Sequence, residues 1–207
     1  MPVTGTDTRS RILDAAWALV RRHGASSATM AEIAGAAGVS RQLVYFHFEN
    51  RAGLLLAMAR HHDTRSGFVD RVVASRSLPA AEGLAELLAT WLAYVPEILP
   101  VARALEAAAA RGDEGGGAAL RDRMQDLREA IRIAVERVEA AGRLAPGWSV
   151  ASATDWVWAR SHLSGWQHLV VERAWRPGDY TGRAIRSILA EVVSTPTAAE
   201  PETGTGG

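Results

Sequence analysis

The 207-residue chain contains no cysteine, which excludes disulfides and thiolate chemistry and is compatible with a cytoplasmic location. It also lacks an apolar run of 18 residues and a secretion signal, so we expect no spanning helix and no membrane partner. No phosphate-cradling glycine loop, nucleophile elbow or metal-spaced cluster is present. We therefore expect no metal site, no cofactor and no catalytic residues.

Lysine is missing as well, so all 23 basic residues are arginine, and the formal net charge is zero. The charge is nevertheless uneven. Residues 1–60 hold seven arginines against four carboxylates, giving +3, and the remainder is correspondingly −3. A basic head on an acidic body is typical of a DNA-binding module joined to a different domain, although a solvated arginine face would look the same.

The most informative stretch is residues 29–48, which predicts two short helices joined by a tight turn. Thr29 and Glu32 have the spacing of a capping box, so a helix can begin there. Gly38 can adopt the positive φ that ends this helix, and Ser40 can cap the next one. A helical hairpin that only packs would share part of this pattern. The caps, turn and aromatic end together favour a DNA-binding helix-turn-helix.

The second helix of a helix-turn-helix reads bases with its first residues. Here these are Arg41, suited to guanine, and Gln42, suited to adenine, and Phe46 can contact a thymine methyl group. Tyr45 and His47 can reach phosphates late in the helix, whereas Thr29 and Arg51 can do so from helix N-termini. Arg9 or Arg11 would reach an adjacent groove. The predicted DNA-binding residues are Thr29, Ser40, Arg41, Gln42, Leu43, Tyr45, Phe46, His47 and Arg51.

Over residues 8–60 the chain resembles the tetracycline-repressor (TetR) family of bacterial regulators. The matching residues are Thr29, Ile33-Ala34, Ala37-Gly38-Val39-Ser40, Tyr45, Phe48 and Asn50-Arg51. The chain departs from the family pattern at Gln42 and Leu43, where Gly and Thr are usual, and at Ala52, where an acidic residue is common. The resemblance implies dimerisation through the last two helices, an inducer pocket between helices four to eight, and repression.

Helical periodicity without strand pattern predicts an all-α fold of about nine helices. The expected bounds are 8–23, 29–37, 40–47, 50–74, 80–95 (stopped by Pro96), 97–111, 118–141, 149–175 and 179–193, with a flexible glycine-rich break at 112–117. We divide the chain into a DNA-binding domain at 1–52, a ligand-binding and dimerisation domain at 53–194, and a disordered tail at 195–207. Residues 1–7 are also expected to be disordered.

The body offers apolar residues for a small-molecule pocket, with His162 as its polar anchor. A stripe of this kind also fits an ordinary core. The predicted ligand-binding residues are Trp91, Tyr94, Met124, Leu127, Trp158, His162 and Trp166, with Arg103 able to face an acidic group. These residues favour an apolar or aromatic effector.

The predicted eighth helix is apolar nearly all round, so it needs partners on several sides. A second copy of the chain is the simplest partner, and internal burial is the alternative. The predicted dimer-interface residues are Trp156, Ser161, Ser164, Gly165, His168, Val171, Ile185 and Leu189.

We therefore predict a ligand-responsive transcriptional regulator, a repressor by resemblance, which binds a pseudo-palindromic double-stranded DNA operator as a homodimer. A ligand would release it by favouring a body state with wrongly spaced heads. The alternatives are a ligand-independent DNA-binding protein and a helical-bundle enzyme.

Overall fold

The computed structural model describes residues 5–195, and this part of the chain is all-α, which confirms the predicted fold class. Its only β pairing is an isolated bridge between Leu144 and Val193. The helices are α1 (Gly5–His23), α2 (Met30–Ala37), α3 (Arg41–His47), α4 (Arg51–Arg65), α5 (Phe68–Ser75), α6 (Ala80–Ala109), α7 (Glu114–Ala140), α8 (Val150–Arg160), α9 (Leu163–Trp166) and α10 (Pro177–Val192). A 3₁₀ turn covers Ala25–Ser27, and a π-helical segment covers Gln167–Glu172.

The N-terminal end differs in part from the sequence-based expectation. The first helix already begins at Gly5, within the segment that was expected to be disordered. Residues 1–4 and 196–207 lie outside the described residues, and with them almost all of the predicted tail.

The helical head and the body share one of the two apolar cores. Ile12, Ile33 and Val44 from the first three helices are buried together with Leu54 of α4 and Leu105 of α6. The second core lies among α6, α7, α8 and α10. The head is therefore packed directly on one end of the body, so a change in the body can reach it through continuous side-chain contacts.

The prediction that Pro96 stops a helix is wrong, because α6 runs without a break through both Pro96 and Pro100. Both prolines are exposed, and each removes one backbone hydrogen-bond donor from the helix. The opposite face, including Trp91 and Leu105, is buried and holds the helix together. This 30-residue helix is long and apolar enough to cross a membrane, but 56% of its apolar window is buried within the protein, as in a core helix.

The predicted fourth helix is in fact two helices. The chain turns at Gly67, whose φ of 72° lies in the left-handed region that glycine adopts readily. The break lets Phe68 turn inward, where its ring stacks on Tyr94 with a centroid distance of 4.4 Å. The head is therefore not joined to the body by one continuous rigid helix that extends to residue 74.

The predicted flexible break at 112–117 is also wrong, since most of these residues form the first turn of α7. Asp113 caps that helix by accepting a hydrogen bond from the Gly116 N–H at 3.2 Å. Gly115 permits close approach to α4, because a Cβ there would lie 3.0 Å from the Cα of Ala52. Gly115 thus allows the start of α7 to pack closely against the start of α4.

The predicted helix at 149–175 breaks at Ser161 and His162. The Ser161 hydroxyl donates to the Val157 carbonyl at 2.8 Å, and His162 then leaves the helical conformation to cap α9 through its Nδ1 atom. The indole N–H of Trp91 donates to the Ser161 carbonyl at 2.7 Å. A buried partner on α6 therefore satisfies a carbonyl group at the break.

Candidate nucleic-acid interface and internal cavity

The predicted helix-turn-helix is present, and side-chain caps set its geometry. Thr29 and Glu32 form the complete capping box of α2, in which the Thr29 oxygen accepts from the Glu32 N–H at 3.2 Å. The hydrogen bonds from Thr29 hold the pKa of the exposed Glu32 carboxyl below its usual value. Gly38 has a φ of 64° at the turn, and the Ser40 hydroxyl accepts from the Leu43 N–H at 3.1 Å. Each of these caps was predicted from the sequence and is confirmed.

The outward face of α3 carries the side chains that were predicted to read bases. Arg41, Gln42 and Phe46 are exposed, and Phe46 is 82% exposed although its ring is apolar. The Arg41 guanidinium lies 5.5 Å from the centroid of the Tyr45 ring and 3.4 Å from its hydroxyl oxygen. A free face of arginine, amide and aromatic groups at the start of a capped helix can contact the base edges of a major groove.

The other predicted contacts on this helix are less exposed. Leu43 and His47 are half-buried, with the ring of His47 edge-on to that of Phe46. Val44 and Phe48 are buried in the head core, as expected. The hydroxyl groups of Thr29 and Ser40 serve the caps, so these residues offer a phosphate mainly the N-termini of their helices.

The structure contradicts the prediction that Arg51 reaches a phosphate. Its guanidinium donates to the carbonyl oxygens of Ala25 and Ala28, at 3.0 Å for Ala28, and pairs with Asp113 at 2.5 Å. Burial alone would raise the pKa of the Asp113 carboxyl, but hydrogen bonds from Arg51 and from backbone N–H groups hold it below its usual value. Arg51 therefore ties the turn before α2 to the start of α7.

Arg9 and Arg11 also have partners within the head. The guanidinium of Arg9 lies 5.2 Å from the centroid of the Phe48 ring, and Arg11 donates to the Ala37 carbonyl at 3.2 Å. Both contacts brace α1 against the ends of the helix-turn-helix. They do not favour the predicted reach into a second groove.

A half-open cavity of about 520 Å³ lies among α1, α4, α5, α6, α7 and α9. Its apolar wall includes Trp17, Phe68, Val72, Trp91, Leu105, Met124 and Leu127. Trp17 belongs to α1, so a helix of the head forms part of the wall. A volume of this size suits a small molecule.

A buried polar cluster lies at the cavity wall, and the sequence did not predict it. The Tyr94 hydroxyl donates to Asp63 Oδ1 at 2.8 Å, and Arg123 pairs with Asp63 Oδ2. Burial raises the pKa of the Asp63 carboxyl against the opposing effect of Arg123 and Tyr94. These three residues come from three helices, so no local spacing in the sequence connects them.

The cavity includes only some of the predicted ligand residues. Trp91, Met124 and Leu127 line it, and Tyr94 contacts it through Asp63. The structure does not bring the remaining three, Trp158, His162 and Trp166, to its wall. His162 instead caps α9 beside the Trp158 ring, and burial lowers its pKa. Arg103 is exposed and does not line the cavity.

The predicted dimer face is partly wrong. Ser161 is fully buried within its own chain, and Gly165 packs on Tyr180, because a Cβ at Gly165 would lie 2.5 Å from the Tyr180 hydroxyl. The exposed members are Trp156 at 38%, Val171 at 51%, Ser164 and His168, whereas Ile185 and Leu189 are half-buried. Trp175 is also exposed, at 39%, and was not predicted.

Two adjacent histidines of α4 contact α1, which further joins body and head. His61 Nε2 lies 3.1 Å from Asp14, and the His62 ring stacks on Trp17 with a centroid distance of 3.6 Å. Burial lowers the pKa of His62, although the nearby Glu97 and Asp63 carboxylates oppose this. Adjacent residues of a helix point in different directions, and the two rings accordingly have separate partners on α1.

Comparison with known proteins places the helix-turn-helix in a family. Residues 12–58 match the model "Bacterial regulatory proteins, tetR family". The transcriptional regulator AcrR of Shigella flexneri is 46% identical over 48 residues, which is 23% of this chain and 22% of AcrR. The chain thus matches less than a quarter of the length of that relative.

Solved structures share the fold over most of the chain. NalD, the secondary repressor of the MexAB-OprM multidrug efflux pump in Pseudomonas aeruginosa, has a TM-score of 0.63 at 23% identity, covering 92% of this chain and 98% of NalD. SmeT in complex with triclosan has a TM-score of 0.71 at 21% identity, covering 94% of this chain and 98% of SmeT.

Proposed function

We propose that the chain is a TetR-family transcriptional repressor that a small molecule releases from DNA, since residues 12–58 match the model of that family. One observation carries this proposal: the same chain presents an exposed face of arginine, amide and aromatic groups on α3 and contains a half-open cavity of about 520 Å³ whose wall includes a helix of the head. A cytoplasmic location is part of the proposal. A protein that only binds DNA needs no such cavity.

We assign the proposed DNA contacts according to how exposed each side chain is. Arg41 and Gln42 read bases, Phe46 meets a thymine methyl group, and Tyr45 reaches a phosphate. The N-termini of α2 and α3, at Thr29 and Ser40, offer N–H groups to further phosphates. The half-buried Leu43 and His47 contribute at the edge of this surface.

Two copies of the chain would read a pseudo-palindromic operator, because paired heads match paired half-sites. The proposed dimer face is the outer side of α8, α10 and the segment between them. Trp156 and Val171 leave large apolar surface exposed there, and Trp175 extends it. Ser164 and His168 are exposed alongside, and Ile185 and Leu189 are half-buried beneath. Burying such a patch against a second copy is the ordinary way to remove it from water.

Ligand and DNA would be coupled through the contacts between head and body. Trp17 lines the cavity and also stacks on His62, while Arg51 joins the turn before α2 to Asp113 of α7. The body would have two states, one that binds DNA and one in which the contacts at these points are shifted. A ligand that prefers the shifted state lowers the affinity for DNA, and it can do so only by as much as its own affinities for the two states differ. The triclosan complex of SmeT supports a small aromatic ligand as the kind of effector.

A paired screen tests the proposal. Small aromatic molecules are first ranked by thermal stabilisation of the protein, and those that stabilise it are then tested for release of operator DNA. We expect at least one molecule to do both in the wild type and neither in Ala102→Phe, which places a ring in the cavity wall. Arg103→Ala, at an exposed position on the same helix, is the matched control and should behave like the wild type. Stabilising ligands that never alter DNA affinity would contradict the proposal.

A further inference from the structure

We propose that the cavity selects an uncharged, largely aromatic molecule that presents a hydrogen-bond acceptor to Arg123. This inference rests on the proposed function and adds the chemical class of the effector. Three features of the site support it: the residues of the cavity wall, the charges that face the cavity, and one N–H donor of Arg123.

The wall favours flat, apolar ligands. Trp17, Phe68 and Trp91 supply aromatic rings from α1, α5 and α6, and Met124 supplies a thioether from α7. Aromatic rings gain most from other rings placed edge-on or offset against them, and a methionine side chain adapts to irregular shapes. An aliphatic polar ligand such as a sugar would leave its hydroxyl groups unpaired against these residues.

The one buried carboxylate at the wall is fully engaged, which disfavours a cationic ligand. Asp63 is 10% exposed, and its two oxygens are bound separately by Tyr94 and Arg123. A ligand cation would have to displace Arg123 from Asp63, and Asp126, which is 50% exposed, would be the only carboxylate partner left to that guanidinium. Breaking a buried ion pair in this way is unfavourable.

An anionic ligand is also disfavoured, because the carboxylates beside Arg123 would repel it. The Arg123 guanidinium already pairs with two carboxylates, those of Asp63 and Asp126. A third negative charge beside them would be repelled by both. The charged residues nearer the solvent are paired as well, Arg60 with Asp122 and Glu129 with Arg132. At its buried end, beside Asp63 and Arg123, the site therefore offers neither sign of charge an uncompensated partner. The exposed lining residue Arg76 has no ion pair among the described residues.

Arg123 nevertheless retains a donor for a neutral acceptor. Its Nε–H is buried and has no acceptor among residues 5–195, although the side chain lines the cavity. A buried donor without a partner is unfavourable, and a guanidinium N–H forms stronger hydrogen bonds than a neutral donor does. A ketone, ether or phenol oxygen could satisfy this group after a small rotation of the side chain, and it would bring no charge with it.

Four probes of one shape test the inference by calorimetry with the full chain at about pH 7. They are 2-acetylnaphthalene, the hydrocarbon 2-isopropylnaphthalene, the anion 2-naphthoate and the cation (2-naphthyl)methylammonium. We expect the ketone to bind roughly tenfold tighter than the hydrocarbon, and both charged probes to bind more weakly than the ketone. Arg123→Lys keeps a positive charge beside Asp63 but removes Nε, so the preference for the ketone should largely disappear. Arg128→Lys, on the same helix but paired with Asp155 outside the cavity, should retain it.

The outcomes separate this inference from the proposed function. Equal or tighter binding of the hydrocarbon, or tightest binding of either charged probe, would overturn the chemical class while leaving the cavity as a ligand site. A ketone preference that survives Arg123→Lys would overturn the role of Arg123. Binding by none of the four would overturn both the inference and the proposed sensing function. Should Arg123→Lys fail to fold, the ranking of the four probes on the wild type still decides the class.

Discussion

Replacing Arg51 distinguishes a residue that binds DNA from one that holds the head to the body. In the structure the guanidinium binds Ala25 and Ala28 before α2 and Asp113 at the start of α7. Its position at the start of a helix instead predicted a phosphate contact. The two roles predict different effects on stability and on the salt dependence of DNA binding.

The expected loss of stability follows from these contacts. Arg51 and Asp113 are only 26% and 25% exposed, so Arg51→Ala removes a shielded ion pair and two charge-assisted hydrogen bonds. We expect the free energy of unfolding to fall by about 2–4 kcal/mol. For a chain of this size that lowers the melting temperature by roughly 5–15 °C. A double-mutant cycle with Asp113→Ala should give a coupling of about 1–3 kcal/mol.

The assay combines thermal unfolding with DNA binding at several salt concentrations. A phosphate contact contributes roughly 0.9 to the slope of log affinity against log salt. We expect Arg51→Ala to bind DNA more weakly with an unchanged slope, because it loosens the head without removing a phosphate contact. An unchanged melting temperature together with a slope reduced by about one would refute the structural role. Arg103→Ala, at an exposed position in the body, should change neither quantity.

Three further predictions concern other parts of the chain. Gly115→Ala should destabilise the protein by roughly 1–3 kcal/mol in urea unfolding, because the added Cβ would lie 3.0 Å from the backbone of α4. The control Gly35→Ala meets nothing within 4 Å and should be neutral or stabilising. Equal effects of the two substitutions would contradict this packing. Arg41→Ala should relax specificity at one or two base pairs, at about 1–3 kcal/mol, and equal losses on specific and random DNA would refute its base-reading role. Burial lowers the pKa of His62 despite the nearby Glu97, so its contribution to stability should be lost as the pH falls from about 6.5 toward the lower folded-state pKa. Urea unfolding at about pH 7.5 and 5.5 should show a smaller difference in His62→Phe, and an unchanged difference would refute this.

The head was predictable because its determinants are local. Thr29 and Ser40 each cap the helix that follows within three residues, and the structure has both caps where the sequence predicted them. The turn at Gly38 needs a positive φ, which glycine supplies without neighbours. The family match over residues 12–58 covers this same region.

The body was less predictable because its determinants lie far apart in the sequence. Pro96 would normally end a helix, but burial of the opposite face of α6 outweighs the lost hydrogen bond. His162 appeared to be a ligand anchor on a continuous helix, yet the break at Ser161 makes it a cap. The cluster of Asp63 with Tyr94 and Arg123 exists only once α4, α6 and α7 have packed together.

Binding of the purified protein to DNA from its own upstream region tests the central claim most directly. The binding would be titrated with salt and competed with random DNA, and the bound site would be footprinted. We predict specific retention that weakens as salt rises and a footprint with two half-sites related by two-fold symmetry. The absence of any preference over random DNA at every salt concentration would contradict the account, because the exposed face of α3 would then have no reading function.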